Sequence, residues 1–249
     1  MEIKLINLNV WLGGKLMPQI LEFLSAEKAD IINLQEVRES KDPNYQYQTE
    51  KIIKDNLDYK YSSFAPAFFD TVENSESGNL ILSKYPIIQS DSVFFFGNYS
   101  DYTHGQNPKY LPTVPRNIQH TKIRVGDKLI NNFNLQGIWA HRDGSDSPSR
   151  IKISEIVINQ IKNKEKVILT GDFNAQEGTK TINNIENYLI NIFKRERKSS
   201  FNMRQKTDPG YASAVVDFIF ISKDLRLISK SMPNVDISDH LPLIAKFAL

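Results

Sequence analysis

Five short polar strings break into otherwise apolar stretches of the chain: Asn7-Leu8-Asn9-Val10, Leu34-Gln35-Glu36, Thr170-Gly171-Asp172-Phe173-Asn174, Val216-Asp217-Phe218 and Ser238-Asp239-His240-Leu241-Pro242. Taken one at a time they have plain structural readings. An Asn or Asp at a strand end is a common turn former or helix cap. A lone glutamate such as Glu36 suits a surface, and a lone histidine before a strand suits a structural role. Asp217 is harder to dismiss, because a carboxylate inside an apolar β-type run is costly to bury without a partner. His240 is the obvious partner, since a buried aspartate often orients an imidazole. As a set the residues carry more. Two carboxylates and an amide at neighbouring strand ends suit one hard cation with open water positions. Asp172 and Asn174 suit the orientation and polarisation of a water. A histidine held by an aspartate suits charge on a phosphoryl oxygen. Together these are the parts of metal-assisted hydrolysis.

Such a set needs strands to present it. Ile3 to Leu8 reads as a first strand, and residues 16–27 as a helix with Leu16, Ile20, Leu21 and Leu24 on one face. Residues 30–34 form a short buried strand, followed by a helix at about 46–57. Strands at 79–82 and 87–96 are joined by Lys84-Tyr85-Pro86, and 97–116 is loop-like, with Gly97, Gly105, Pro108, Pro112 and Pro115. A hairpin-like pair at 117–125 and 128–135 turns at Gly126-Asp127. Helices at 148–163 and 179–186, strands at 167–169, 188–193, 215–222 and 242–248, and a loop at 195–213 complete the chain. Interspersed strands, hairpins and helices fit two packed sheets with helices outside, in one α/β domain over residues 1–249.

Composition narrows the chemistry. The 249 residues are 40% hydrophobic and 24% charged, enough for one large core without staples. No cysteine is present, which excludes disulfides, zinc–thiolate sites, iron–sulfur clusters and a cysteine nucleophile. A metal must then be held by oxygen or imidazole, which points to Mg²⁺, Mn²⁺ or Ca²⁺. Thirty-one basic against 29 acidic residues leave too little excess for a general polyanion binder. The longest apolar runs, Val93 to Phe96 and Phe218 to Ile221, fall far short of the ~20 residues of a membrane helix. The N-terminus lacks a basic segment followed by an apolar one. A soluble, cytoplasmic monomer without stable membrane association is expected.

The ordered series Asn9-Val10, Leu34-Gln35-Glu36, Ser77-Gly78-Asn79 with Ser83, Gly171-Asp172-Phe173-Asn174, Val216-Asp217-Phe218 and Ser238-Asp239-His240-Leu241-Pro242 resembles the endonuclease/exonuclease/phosphatase superfamily, the DNase I-like group. The resemblance runs from residue 3 to residue 248. It implies a four-layer α/β sandwich of two mixed sheets, and hydrolysis of a phosphate ester by an in-line water with Mg²⁺ or Mn²⁺. By position it implies Glu36 as principal metal ligand with Asn9 and Asp239 nearby. Asp172 would align or deprotonate the water with Asn174 as its partner, and His240, oriented by Asp217, would meet the scissile phosphate. Arg116 becomes a phosphate-contact candidate, with a plain surface arginine as the alternative. One departure stands out. Many members carry Asn-x-His-Leu where this chain has Asn134-Leu135-Gln136-Gly137, so Gln136 replaces a histidine. Glutamine still donates a neutral hydrogen bond but carries neither charge nor proton. His141 lies a few residues on, either filling that space or solvated, and Arg150 resembles an arginine that opens the following helix.

Loops decide the substrate. Residues 94–116 hold Phe94, Phe95, Phe96, Tyr99, Tyr102, His104 and Tyr110, which either stack on bases or belong to a strand and ordinary loops. Lys194-Arg195-Glu196-Arg197-Lys198, with Arg204 and Lys206, is the densest positive patch, suited to a nucleic-acid backbone or simply to solvent. A phosphodiesterase or nuclease is the leading expectation. A phosphatase or phospholipase C-like hydrolase of a lipid or inositol phosphate headgroup is the alternative, and a non-catalytic phosphate-binding module a further one. If Asp217 holds His240 protonated, turnover falls at alkaline pH.

Overall fold

Alternation along the strands places aliphatic side chains on both faces of two sheets, and helices cover the outer ones. The computed structural model describes residues 1–42, 47–140 and 143–249. The first sheet contains β1 (Glu2–Asn9), β2 (Ile31–Glu39), β3 (Tyr61–Asp70), β4 (Ser75–Ser83), β6 (Asp101–Tyr102), β12 (Arg226–Ser231) and β13 (Leu243–Ala248), in the order β12-β13-β1-β2-β4-β3-β6. The second contains β5 (Ile87–Phe96), β7 (Arg116–Val125), β8 (Lys128–Gln136), β9 (Val167–Asp172), β10 (Ile190–Asn191) and β11 (Asp217–Ile221), in the order β10-β11-β9-β8-β7-β5. Both sheets are mixed: β1–β2 and β8–β9 are parallel, and most other pairs are antiparallel.

Helices α1 (Met17–Glu27) and α2 (Thr49–Asn56) bury Ile20, Phe23, Leu24 and Ile53 on the outer face of the first sheet, against Ile6, Leu8 and Leu34. Helices α3 (Pro148–Ile161) and α4 (Lys180–Glu186) bury Ile153, Val157, Ile182 and Ile185 on the outer face of the second, against Phe133, Leu169 and Phe220. Ile3, Leu5 and Ile31 meet Ile130, Ile168 and Ile219 between the sheets. The result is a four-layer α/β sandwich. No helix among the described residues is long and apolar enough to cross a membrane.

The face between the sheets changes character along its length. On β1 it runs Ile3, Leu5, Asn7, Asn9; on β8, Ile130, Asn132, Asn134, Gln136; on β9, Ile168, Thr170, Asp172. Successive side chains of a strand alternate faces, so each series lies on one side. The aliphatic end is core. In the middle, buried amides satisfy one another across the sheets: Asn33 bonds Asn132 at 3.0 Å and Thr170 at 2.8 Å, and Gln35 bonds Asn134 at 2.6 Å. At the far end the strands stop on acids and amides that line a cleft.

Several elements differ from the sequence expectation. β3 and β12 are additional strands. β3 carries Pro66 at a register shift and lacks clean alternation, and β12 is a largely exposed edge strand with little apolar signal. Strands β4 and β5 lie in different sheets, so Lys84-Tyr85-Pro86 carries the chain across the sandwich. The strand expected at 188–193 is only Ile190–Asn191.

Candidate active site

The site sits at the strand ends where the inter-sheet face turns acidic. β1 delivers Asn9, β8 Gln136, β9 Asp172, and antiparallel β11 delivers Asp217 at its first position; Asp172 is in register with both Gln136 and Asp217. Glu36 arrives differently. Between Leu34 and Val37 the β2–β4 ladder slips, and Glu36 takes φ +57° at this bulge. A bulge re-aims a side chain that strict alternation would send to the other face. The left-handed backbone there is strained for a non-glycine residue, and Gly13 N–H bonds the Glu36 carbonyl at 2.7 Å to hold it.

Glu36 accepts three hydrogen bonds. Its Oε1 takes the Asn9 amide at 3.0 Å and the Gln136 amide at 2.9 Å, and its Oε2 takes the Leu12 N–H at 2.9 Å. Burial pushes its pKa up, but the Asn9 and Leu12 hydrogen bonds outweigh it and hold the carboxyl below the ordinary value. Asn9 turns its amide nitrogen to the acids, reaching Asp172 Oδ2 at 3.1 Å as well, because its oxygen accepts the Trp11 N–H at 3.0 Å. In this arrangement Asn9 braces two carboxylates with its nitrogen and keeps one lone pair of its oxygen beyond the Trp11 bond.

Asp172 closes an Asx-type turn: its Oδ1 accepts Asn174 N–H at 2.9 Å, and the Asn174 amide reaches Oδ2 at 3.3 Å. Beside it the chains approach closely. A Cβ on Gly137 would lie 1.9 Å from the Phe173 carbonyl oxygen, and one on Gly171 2.1 Å from that of Leu135. Only glycine fits at both. Burial, then the Asp217 and Glu36 charges against the His240 imidazolium, pushes Asp172 up to about 7.

His240 Nδ1 lies 2.8 Å from Asp217 Oδ2, and its Nε2 lies 4.0 Å from Asp172 Oδ2. Burial disfavours the imidazolium, and the Asp217 carboxylate outweighs it, lifting His240 to about 10. Ser238 fixes the preceding loop: its hydroxyl donates to the Asn9 carbonyl at 2.6 Å. Phe201 packs on the His240 ring at 4.5 Å between centroids. Asp239 pairs with Lys206 at 2.8 Å; burial raises the Asp239 carboxyl, with His240 and Lys206 pulling the other way. Arg116 is buried in the same cleft, donating through Nε to the Gly137 carbonyl at 3.2 Å. Burial lowers its pKa, offset in part by Glu36 and Asp172.

All nine sequence-singled residues therefore gather around one cleft or directly behind it: Asn9, Glu36, Arg116, Gln136, Asp172, Asn174, Asp217, Asp239 and His240. Sequence reasoning placed Lys206 in a basic patch, whereas it sits on Asp239; Trp11 and Trp139 also line the cleft without having been singled out. Nothing in their local sequence marks them, because loops bring them in. The basic patch itself disperses. Lys194 pairs with Glu186, and the half-buried Arg197 turns inward to the Asp217 carbonyl. Phe95 is core, Tyr99 is exposed, and His104 stacks on Tyr110 at 3.9 Å, while Tyr102 lines the cleft. Arg150 is fully buried and ties the segment before α3 through the Ile138 carbonyl at 3.2 Å and the Ser145 carbonyl. His141 lies outside the described residues.

The donor set fits a hard divalent cation. Glu36 and Asp239 would offer it carboxylate oxygens, and the Lys206 ammonium on Asp239 shows that this acidic pocket already attracts positive charge. One ligand atom each from Asp172, Asp217 and His240 also lies within 4.8 Å of the others. There Nδ1 is taken by its bond to Asp217 Oδ2, while Nε2 lies 4.0 Å from Asp172 Oδ2.

The two-sheet sandwich ends in this acid–amide–imidazole cluster, and the chain's sequence assigns it to a family whose members are generally phosphoester hydrolases. The chain belongs to the Endonuclease/Exonuclease/phosphatase family, whose sequence profile matches residues 6–240. An endonuclease/exonuclease/phosphatase from Beutenbergia cavernae DSM 12333 superposes with a TM-score of 0.78 at 14% identity, covering 100% of this chain and 72% of that one. The mannosyl-6-phosphatase of Bacteroides thetaiotaomicron VPI-5482 gives 0.73 at 15% identity, covering 99% and 100%. The human Nocturnin catalytic domain with bound sulfate gives 0.71 at 16%, covering 99% and 93%. Comparison with curated protein sequences returns no match. At these identities the structural likeness carries the fold.

Proposed function

We propose that the protein is a divalent-metal-dependent hydrolase of phosphate esters, a phosphodiesterase or nuclease acting through the Glu36–Asp172–His240 cleft. The observation that carries this reading is the unbroken relay from Glu36 through Asn9 to Asp172, flanked by the Asp217–His240 pair. Glu36 and Asp239 would hold Mg²⁺ or Mn²⁺, and such a cation, when bound, supplies charge neutralisation at the phosphoryl and leaving oxygens. The chain's own groups account for the rest. Asp172, its geometry set by Asn174 and Asn9, orients the attacking water and takes its proton as oxygen bonds to phosphorus. His240 presents Nε2–H to a non-bridging phosphoryl oxygen, and Asp217 keeps the ring oriented by holding Nδ1–H. Arg116, in the same cleft, adds a second donor. The ester oxygen leaves in line with the water.

One observation favours a second reading. With the Arg197 guanidinium turned inward to the Asp217 carbonyl and Lys194 paired to Glu186, the basic run offers no continuous track for a nucleic-acid backbone. That supports phosphatase or phospholipase C-like action on a small headgroup held inside the cleft. A substrate panel tests both: abasic-site duplex, single-stranded DNA and RNA, inositol phosphates, sphingomyelin and bis-p-nitrophenyl phosphate, each with and without Mg²⁺ or Mn²⁺. Metal-dependent turnover lost in Asp172→Ala and His240→Ala supports the hydrolase reading. Turnover that survives both substitutions, or none on any substrate, overturns it.

A further inference from the structure

Arg197 stands in a run of charges that invites a solvent-facing reading, yet the side chain is half-buried and turns its guanidinium inward at the edge of the second sheet. β10 pairs Ile190 with Ile221 and Asn191 with Phe220, and the ladder continues to the bond from Ile192 N–H to the Ile219 carbonyl. The next outward carbonyl along β11 is that of Asp217. Here the neighbouring chain has turned away: Lys194 N–H bonds back to the Asn191 carbonyl at 3.4 Å. Arg197 fills the gap, donating through Nη1 to the Asp217 carbonyl at 2.6 Å. Its guanidinium lies between the rings of Phe193 and Phe218, 5.1 and 5.3 Å from their centroids. This is an unusual use of arginine. Its Nε and Nη2 are buried without a hydrogen-bond partner, and so is Oδ1 of Asp217. Leaving such groups unsatisfied is costly, and a strand edge could be closed more cheaply by a neutral amide.

We propose that Arg197 is a positioning residue: it anchors the Asp217 backbone and sets a positive charge behind the Asp217 carboxylate, so that the carboxylate holds the His240 ring toward the cleft. The inference rests on the reading of Asp217–His240 as a catalytic pair only for its kinetic consequence; the geometric claim stands apart from it. The alternative is a purely structural plug, whose loss would lower stability while leaving the Asp217–His240 hydrogen bond as it was.

The test uses ¹⁵N-histidine-labelled full-length protein. The Nδ1–H proton of His240 is identified as the far-downfield imidazole resonance missing from His240→Asn. In Arg197→Met, which keeps length and apolar packing, that resonance is expected to move upfield or exchange away while the protein still unfolds cooperatively. On bis-p-nitrophenyl phosphate, kcat is expected to fall about 10- to 100-fold with KM little changed, the mark of a displaced reacting group. Arg197→Lys, which keeps the charge, should lie nearer wild type than Arg197→Gln, which keeps only a donor. The same Lys–Gln comparison decides the matter if the Met variant fails to fold. An unchanged resonance in Arg197→Met, or Lys and Gln variants both indistinguishable from wild type, overturns the proposal. A resonance that moves in a protein without metal-dependent turnover upholds the positioning and overturns only the hydrolase reading.

Discussion

Gln136 donates its side-chain amide to Oε1 of Glu36 at 2.9 Å, at the position where the family resemblance led to a histidine. The same oxygen accepts from Asn9, so Gln136 acts here as one of two neutral braces on a half-buried carboxylate. Replacing it with leucine removes one donor and leaves the acid less well solvated. In metal-free protein Gln136→Leu is expected to cost about 1–3 kcal/mol, measured by urea unfolding. Saturating Mn²⁺ should narrow the deficit, because a cation on Glu36 replaces the lost partner. Equal stability of variant and wild type without metal would show that the brace contributes nothing.

Lys206 occupies the acidic pocket that a cation would share. Burial disfavours its charge, but Asp239 and Glu36 outweigh burial and raise its pKa above the usual lysine value. Charge of the same sign beside Glu36 and Asp239 must oppose a divalent ion. Lys206→Met is therefore expected to bind Mn²⁺ more tightly by titration calorimetry. The same substitution should raise KM for a phosphoester, since a cation lining the cleft is gone. Weaker metal binding would mean that Lys206 organises Asp239 for the metal.

Asp172 and Asn174 act as one unit through the 2.9 Å bond from the Asn174 N–H. Asp172→Asn removes the proton acceptor while keeping shape, and kcat on an activated diester is expected to fall about 10²- to 10⁴-fold. Asn174→Ala leaves the backbone bond and removes only the amide, so a smaller loss is expected. Combining the two should cost little beyond Asp172→Asn alone, because groups serving one step are not additive.

Much of this site was legible because strand periodicity and polarity coincide. Ile3, Leu5, Asn7 and Asn9 share a face, so the sequence of β1 already describes a core that turns polar toward one end. Helices α1 and α3 follow from their 3.6-residue patterns, to within a residue or two at each end. Glu36 was legible as a site residue but its presentation was not, since the bulge depends on pairing with β4. β3 was hidden by Pro66 and β12 by its exposed edge position. Lys206 and Arg197 were misread for a common reason. Their surroundings, Asp239 for one and the Phe193–Phe218 pair for the other, are assembled by tertiary structure, and a charge run looks the same whether or not one member turns inward.

The Asp217–His240 pair should make metal-free stability depend on pH. His240 rises from 6.5 to about 10 in the fold, burial opposing and Asp217 prevailing. The folded protein therefore holds a proton that the unfolded chain releases, so the stabilisation is complete below 6.5 and is lost as pH climbs through about 10. Asp172, raised from 3.8 to about 7, works in the same direction at lower pH. Unfolding in chelator across this range should show stability falling with pH. Asp217→Asn, by removing the partner of the imidazolium, should flatten the alkaline part of the curve. A wild-type curve that rises over 6.5 to 10 would contradict the pairing.

Glu39, at the end of β2, offers a second pH signature away from the cleft. It accepts the N–H of Glu50 in the first turn of α2, yet burial dominates and pushes it up to about 7, with the Glu50 charge adding to the effect. The unfolded chain ionises near 4.5, so between 4.5 and about 7 the fold retains a proton the unfolded state has lost. Stability should therefore decline with pH over that window and then level off. Glu39→Gln keeps an oxygen for the Glu50 N–H and has nothing to ionise. The variant is expected to be more stable than wild type above pH 7 and to lose that advantage below 4.5, as read by thermal unfolding across the range. A Gln variant that is less stable at every pH would show that the ionised carboxylate, through its bond to the α2 terminus, contributes more than its burial costs.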